Sequence, residues 1–256
     1  VIKRILSSVA AIAVGIGALS GIANATQSHT RSIPPNEWRR TEGNTYVVRA
    51  DDFGTSTWLR STGEHSFYIS AGESEGSWTA YPYIGRGCSW GVCATPGGGT
   101  WPIQVGAAGY DNPYVSMWST QNYRGSYNTA LDIWFSTYKQ TNGADNGAEL
   151  MVWTNHPNIS IPASSVTHWG VWLDGKEYKV MSWRTSTDGV WRNYIAFIAY
   201  DESGSFYGDL NPFFWAAESY GLLKSDWYWT SIDAGFELDG GGSGKGLGIN
   251  YFSVNG

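Results

Sequence analysis

The chain has 256 residues and a formal net charge of −6; 42% of it is hydrophobic, 16% aromatic and only 15% charged. That much apolar and aromatic surface excludes a charge-rich disordered chain. The acidic balance argues against a nucleic-acid partner held through its phosphates, and two Cys and four His leave little material for a soft-metal site, so neither metal nor cofactor is expected. Fifteen Trp and 16 Tyr are far more than a core needs. In a Gly-rich, charge-poor chain they point to an all-β protein with aromatic binding platforms.

Lys3 and Arg4 open the chain with positive charge. Residues 5–22 are small and apolar, and Ala23-Asn24-Ala25 has the small-x-small form of a cleavage site. This is the design of a secretory signal peptide over residues 1–25, and the expected location is secreted, extracellular. No later segment offers about 18 consecutive apolar residues, so no membrane association is expected once the signal is removed. Residues 26–43 are polar, contain Pro34-Pro35, and are expected to form a flexible mature N-terminus. Residues 44–256 contain no Pro/Ser/Thr-rich linker and are expected to form one catalytic-sized domain, a monomer.

From residue 45 onward, short β-rich runs alternate with clusters of Gly, Asn, Asp and Ser. Strands are predicted at 46–49, 66–70, 101–105, 131–136, 149–154, 169–173, 178–183, 194–200, 230–237 and 247–254. So many short strands in series imply a sandwich or barrel and not a βαβ sheet. Cys88 and Cys93 lie five apart; an exported chain favours a disulfide between them, and the spacing is wrong for redox catalysis. One stretch breaks the pattern. Residues 211–223 place Pro212 at the first helical position after an Asn211 cap. Phe214, Ala217 and Gly221 recur there at helical steps, which predicts one helix packed on a sheet.

Alternate residues of a strand share a face. Around Glu149, Leu150 and Val152 point to one side, while Glu149, Met151 and Trp153 point to the other. A carboxylate flanked by Met and Trp suits the floor of a sugar-binding cleft. In 231–238, Ile232, Ala234, Phe236 and Leu238 form an apolar face opposite Asp233, Gly235 and Glu237, and Gly235 is expected to leave open space beside Glu237. In 131–135, Leu131, Ile133 and Phe135 go inward, and Asp132 and Trp134 share the other face. Two carboxyl groups flanking a bond are the minimum machinery for glycoside hydrolysis.

These residues resemble glycoside hydrolase family 12. The resemblance rests on Glu149-Leu150-Met151-Val152-Trp153 with Asn155-His156, on Asp132-Ile133-Trp134-Phe135, and on Ala234-Gly235-Phe236-Glu237 before a Gly-rich turn. It extends to Tyr46-Val47-Val48, the 81–93 loop, Trp172-Leu173-Asp174-Gly175 and Asp226-Trp227-Tyr228-Trp229. It implies a β-jelly roll of two curved antiparallel sheets with one helix on the convex side and an open cleft on the concave side. It implies a secreted, retaining endo-β-1,4-glucanase acting on a β-glucan polysaccharide. Glu149 stands in the nucleophile position, Glu237 in the acid/base position, and Asp132 where an acid supports the nucleophile. The two glutamates' carboxyl groups should lie about 5–5.5 Å apart. Phe53, Trp134, Met151, Trp153 and Asn155 are the expected substrate-binding residues. Phe53 replaces the family's usual Trp, Asp239 replaces an aromatic residue, and the 240–246 turn is longer, so the preferred glucan is left open. A non-catalytic carbohydrate-binding β-sandwich is the rival reading, and the three acids together argue against it. A jelly-roll endo-β-1,4-xylanase is the other.

Overall fold

The computed structural model describes residues 30–74, 78–94, 101–107, 113–140, 145–240 and 242–255. The expected signal peptide lies outside the described residues. Two open sheets stack face to face. The smaller runs in the order β1 (Arg31–Ile33), β4 (Thr55–Ser61), β5 (Phe67–Ser74), β17 (Leu247–Val254), β9 (Tyr114–Gln121), β15 (Ser205–Asp209). The larger runs β12 (Val166–Leu173), β13 (Lys176–Thr187), β14 (Val190–Ala199), β11 (Ala148–Asn155), β10 (Ser126–Ser136), β16 (Tyr228–Asp239), β6 (Tyr83–Ser89), β3 (Val47–Arg49), β2 (Trp38–Arg40). Two short strands attach to it: β7 (Val92–Ala94) on β6 and β8 (Ile103–Gln104) on β16. This is the β-jelly roll sandwich. Pairing is antiparallel except between β11 and β14, which run parallel because β12 and β13 intervene as a crossover.

The period-2 pattern builds the core. Leu131, Ile133 and Phe135 of β10, Leu150 and Val152 of β11, and Ile232, Ala234, Phe236 and Leu238 of β16 are completely buried against the small sheet. Leu59, Phe67, Ile69, Val115, Met117, Ile249 and Phe252 meet them from that sheet. The opposite face of the large sheet stays open and carries its own cluster, Met151, Trp153, Met181, Tyr194 and Ile198, against which Ile159 and Ile161 pack.

The helix α1 (Asn211–Ser219) follows the edge strand β15 and extends the layer where the small sheet ends. It lies on the face of the large sheet away from the cleft, with Phe213 against Tyr178 and Phe197, and Phe214 against Phe135 and Trp229. Asn211 is not its cap: the Asp209 carboxylate accepts the Asn211 N–H at 2.9 Å, and Leu210 holds the cap position. The helix stops short of the predicted 223. Gly221 takes φ +73°, and the N–H of Leu222 returns to the carbonyl of Ala217, which closes the last turn.

Three other expectations need correction. The segment read as flexible contains β1 and β2, which pair with β4 and β3. Of 101–105 only Ile103–Gln104 pairs, since Pro102 has no N–H for a ladder. β4, β6, β7, β9 and β15 are absent from the sequence reading, because their outward residues are Gly, Ser, Thr and isolated aromatics and not an obvious apolar run. No helix among the described residues is long and apolar enough to cross a membrane.

Phe213 is fully buried and touches three aromatic rings. Phe213→Ala should lower stability by about 3–5 kcal/mol. The check is the urea midpoint at unchanged m-value.

Candidate active site

The open face of β10, β11, β14 and β16 forms the floor of a cleft. Glu149 stands opposite Trp134 on one side of β10, and Glu237 stands opposite Asn128 on the other. Two adjoining cavities, about 280 Å³ and about 490 Å³, share Glu149, Glu237 and Arg192 in their walls. Trp78, Trp153, Trp183 and Tyr194 line the first; Phe53, Trp90, Asp132 and Trp134 line the second.

The two glutamates have different partners. Arg192 Nε donates to Glu149 Oε2 at 2.6 Å, in an ion pair whose members are 7% and 11% exposed. The same guanidinium donates to Thr187 Oγ1 at 3.1 Å and lies 4.9 Å from the Trp134 ring and 5.9 Å from that of Trp90. Burial pushes the Glu149 carboxyl above its ordinary range, and Arg192 pulls it back. Glu237 has no ion-pair partner among the described residues. It takes the side-chain amide of Asn128, whose Oδ1 accepts the Glu237 backbone N–H at 3.2 Å. Burial, with the Glu149 charge adding to it, pushes Glu237 up to about 8, against the pull of the Asn128 bond.

Asp132 lies one pleat from Glu149, opposite Met151 on β11 and Asp233 on β16. It is 5% exposed. Burial and then the charges of Glu149, Asp233 and Glu237 push it well above the carboxylate range. The antiparallel pairing of β10 with β11 is the one its loop length permits.

Other expected residues divide. Trp134, Trp153 and Phe53 line the cleft. Met151 does not: it is 1% exposed, and its sulfur accepts from Trp153 Nε1 at 3.5 Å and from the Tyr194 hydroxyl at 3.2 Å. It supports the wall from beneath. Asn155 is also outside the cleft, with its amide donating to Gln121 of β9. The space at Gly235 is not open, since a Cβ there would meet the Pro82 carbonyl at 2.4 Å; this glycine admits the backbone entering β6.

Sequence reading missed Arg192, Asn128 and Trp90. The first two sit on the correct face of strands predicted to begin four and five residues too late. Trp90 sits in the tight turn between β6 and β7, with φ +48°, and the Cys88–Cys93 disulfide closes that hairpin. Its ring meets Trp134 edge-on at 5.9 Å. Among the described residues, no group of three or more His, Cys, Asp or Glu is placed to hold a metal ion.

With this geometry in view, the comparisons with known proteins decide the family. The profile of glycosyl hydrolase family 12 matches residues 111–255. The chain belongs to glycosyl hydrolase family 12. Endoglucanase cel12A from Rhodothermus marinus shares the fold with a TM-score of 0.73 at 28% identity, over 88% of this chain and 98% of that one. The probable cellulase Cel12b of Mycobacterium tuberculosis is 29% identical over 145 residues, covering 57% of this chain and 85% of the relative. Endoglucanase S of Pectobacterium parmentieri is 27% identical over 167 residues, 63% of this chain; the match spans 61% of that relative's length. The fold and family are those of a glycoside hydrolase.

The raised Glu237 has a consequence for stability. The folded state keeps a proton up to about pH 8 that the unfolded chain releases near its ordinary value of about 4.3. Stability therefore falls as pH rises through that window. Thermal melts from pH 5 to 8 should show a shallower decline for Glu237→Gln than for the native protein.

Proposed function

We propose that the protein is a secreted, endo-acting, retaining β-1,4-glucanase that cuts internal bonds of cellulose-type, mixed-linkage or xyloglucan chains. Secretion rests on the leader-like residues 1–25. The observation that carries the activity is the pair of glutamates in one cleft with opposed environments: Glu149 in an ion pair with a guanidinium, Glu237 without an ion pair among the described residues and pushed up to about 8.

That difference divides the work. Glu149 attacks the anomeric carbon with its carboxylate. The glycosidic C–O bond breaks, and the Glu237 proton passes to the departing oxygen. The product is a glycosyl ester of Glu149. Esterification removes the Glu149 charge, which is one cause of Glu237's raised proton affinity, so that affinity falls and Glu237, having given up its proton, stays ionised and available as the base for its second task. It takes a proton from water, the water oxygen attacks the anomeric carbon, and Glu149 leaves as carboxylate. Arg192 occupies Oε2 of Glu149, which leaves Oε1 to attack. Trp134, Trp153 and Phe53 supply faces for the sugar rings, and Asp132 supports the nucleophile.

Reducing-sugar release should appear on carboxymethylcellulose, mixed-linkage glucan or xyloglucan, with a rapid fall in viscosity. Proton NMR of the first turnovers should show the β-anomer ahead of mutarotation. An early α-excess, or release from xylan alone, overturns the reading. Glu149→Ala should be inactive and regain turnover with azide as an α-glycosyl azide; Glu237→Ala with azide and an activated leaving group should give the β-product. Identical responses would refute the division of roles.

A further inference from the structure

The hairpin between β6 and β7 carries a strained residue in the wall of the cleft. Cys88 pairs with Cys93 and Ser89 with Val92, so Trp90 and Gly91 alone make the turn. Both take positive φ, +48° and +78°. A two-residue turn of that kind favours Asn, Asp or Gly at its first position. Among the described residues, seven other than glycine have positive φ. Five are Asn or Asp, which tolerate it. The other two are Trp78 and Trp90, and each lines one half of the cleft. A bulky side chain in the left-handed region persists only where its surroundings impose it.

At Trp90 the constraint is covalent. β7 is three residues long and, among the described residues, pairs only with β6. Nothing lies within 4 Å of where a Cβ on Gly91 would stand, so no neighbour props the turn from that side. The Cys88–Cys93 disulfide ties the two strands beneath it. The ring's neighbours show what the constraint serves. Trp90 meets Trp134 edge-on at 5.9 Å, and the Arg192 guanidinium lies 5.9 Å from the Trp90 ring centre and 4.9 Å from that of Trp134. Both distances are in cation–π range. The Arg192 side chain is 7% exposed, and it donates to Glu149 Oε2 and Thr187 Oγ1. Water reaching such a pair would screen its attraction and free the guanidinium to turn.

We propose that the disulfide-closed turn serves the nucleophile: the bridge holds Trp90 beside Arg192, the ring shields the guanidinium from water, and Arg192 so fixed keeps Glu149 paired through Oε2 with Oε1 free to attack. Trp90 is a positioning residue that acts through Arg192. This rests on the glycosidase reading above. The residues that would relax the turn carry no indole, so stability and ring placement conflict at this one position.

Trp90→Asn separates the two. Asn suits the left-handed position, so the melting temperature should hold or rise. On soluble mixed-linkage glucan kcat should fall about tenfold, the scale of one shielded cation–π contact, while KM changes less than about twofold. Trp90→Phe, which keeps a ring face, should recover most of the lost kcat. Cys88→Ser combined with Cys93→Ser should lower kcat with Trp90 still present. The direct readout needs no substrate. In nitrogen-15 NMR of arginine-labelled protein, the Arg192 Nε–H resonance, assigned by its loss in Arg192→Lys, should exchange slowly with water in the native protein. It should exchange about tenfold faster in Trp90→Asn and in the double serine variant. A lowered melting temperature with unmoved kcat and unmoved exchange would make the turn a structural feature only and refute the proposal. A raised KM at unchanged kcat would make Trp90 a sugar platform and refute it equally. If the double serine variant fails to fold, Trp90→Asn decides. Absence of hydrolysis on every polymer would remove the glucanase reading, and the Arg192 resonance would then decide whether Trp90 holds the guanidinium.

Discussion

A carboxylate taken out of water must find a cation, a proton or a set of N–H donors. The open face of the large sheet carries the buried Asp132, Glu149 and Asp233 and the half-buried Glu237, and each meets that requirement differently. Glu149 has a guanidinium at 2.6 Å. Glu237 has one amide side chain and holds its proton to about pH 8. The chemistry of the cleft follows from that unequal treatment. Exchanging Arg192 and Asn128 in thought would move the one guanidinium from Glu149 to Glu237, with the backbone unchanged.

The scaffold makes the inequality possible by bringing distant segments to one floor. β10 is the axis. It separates β11 from β16, so the two glutamates approach from opposite sides, and Trp134, Asp132, Ala130 and Asn128 occupy the positions between them. Arg192 arrives on a fourth strand through the parallel β11–β14 pairing. Its position is held by Thr187 across the β13–β14 hairpin and by two Trp rings. One of these, Trp90, comes from a disulfide-closed turn far away in the chain. The core side of the same strands is largely apolar and packed against the small sheet, and that gives the floor its rigidity. A polar site on one face of a strand is affordable because the other face supplies the burial.

Much of this was legible in the sequence, for a physical reason. Strands with one face in a core and the other in a cleft alternate strictly, so Leu131–Asp132–Ile133–Trp134 and Ile232–Asp233–Ala234 declare both faces at once. Three acids opposite three core stripes could be read without knowing how the strands pair. What failed lies where alternation carries no information. Strand ends are set by partner length and not by pattern, so Asn128 and Arg192 fell outside the predicted strands although both share the correct face. Short outer strands such as Arg31–Ile33 are ordered by pairing with neighbours, which a polar sequence does not announce. Position on the cleft face also does not guarantee exposure. Met151 shares that face with Glu149, yet Trp153 and Tyr194 close over it.

Glycine shows the same limit from the other direction. The alternation places Gly235 beside Glu237, and a missing side chain looks like room for a ligand. The room is taken by the backbone that enters β6, with the Pro82 carbonyl 2.4 Å from where a Cβ would stand. The glycine that does open space for a functional group is Gly85, on a strand absent from the sequence reading, and the group it admits is the Asp233 carboxylate. Both glycines have one cause, the close approach of β6 to β16. At one the neighbour is a carbonyl and the consequence is packing; at the other it is an acid, and the consequence is a fourth carboxylate buried in the floor of the cleft. The chemistry of a glycine is the chemistry of whatever faces it across the sheet, which strand pairing decides and local sequence does not.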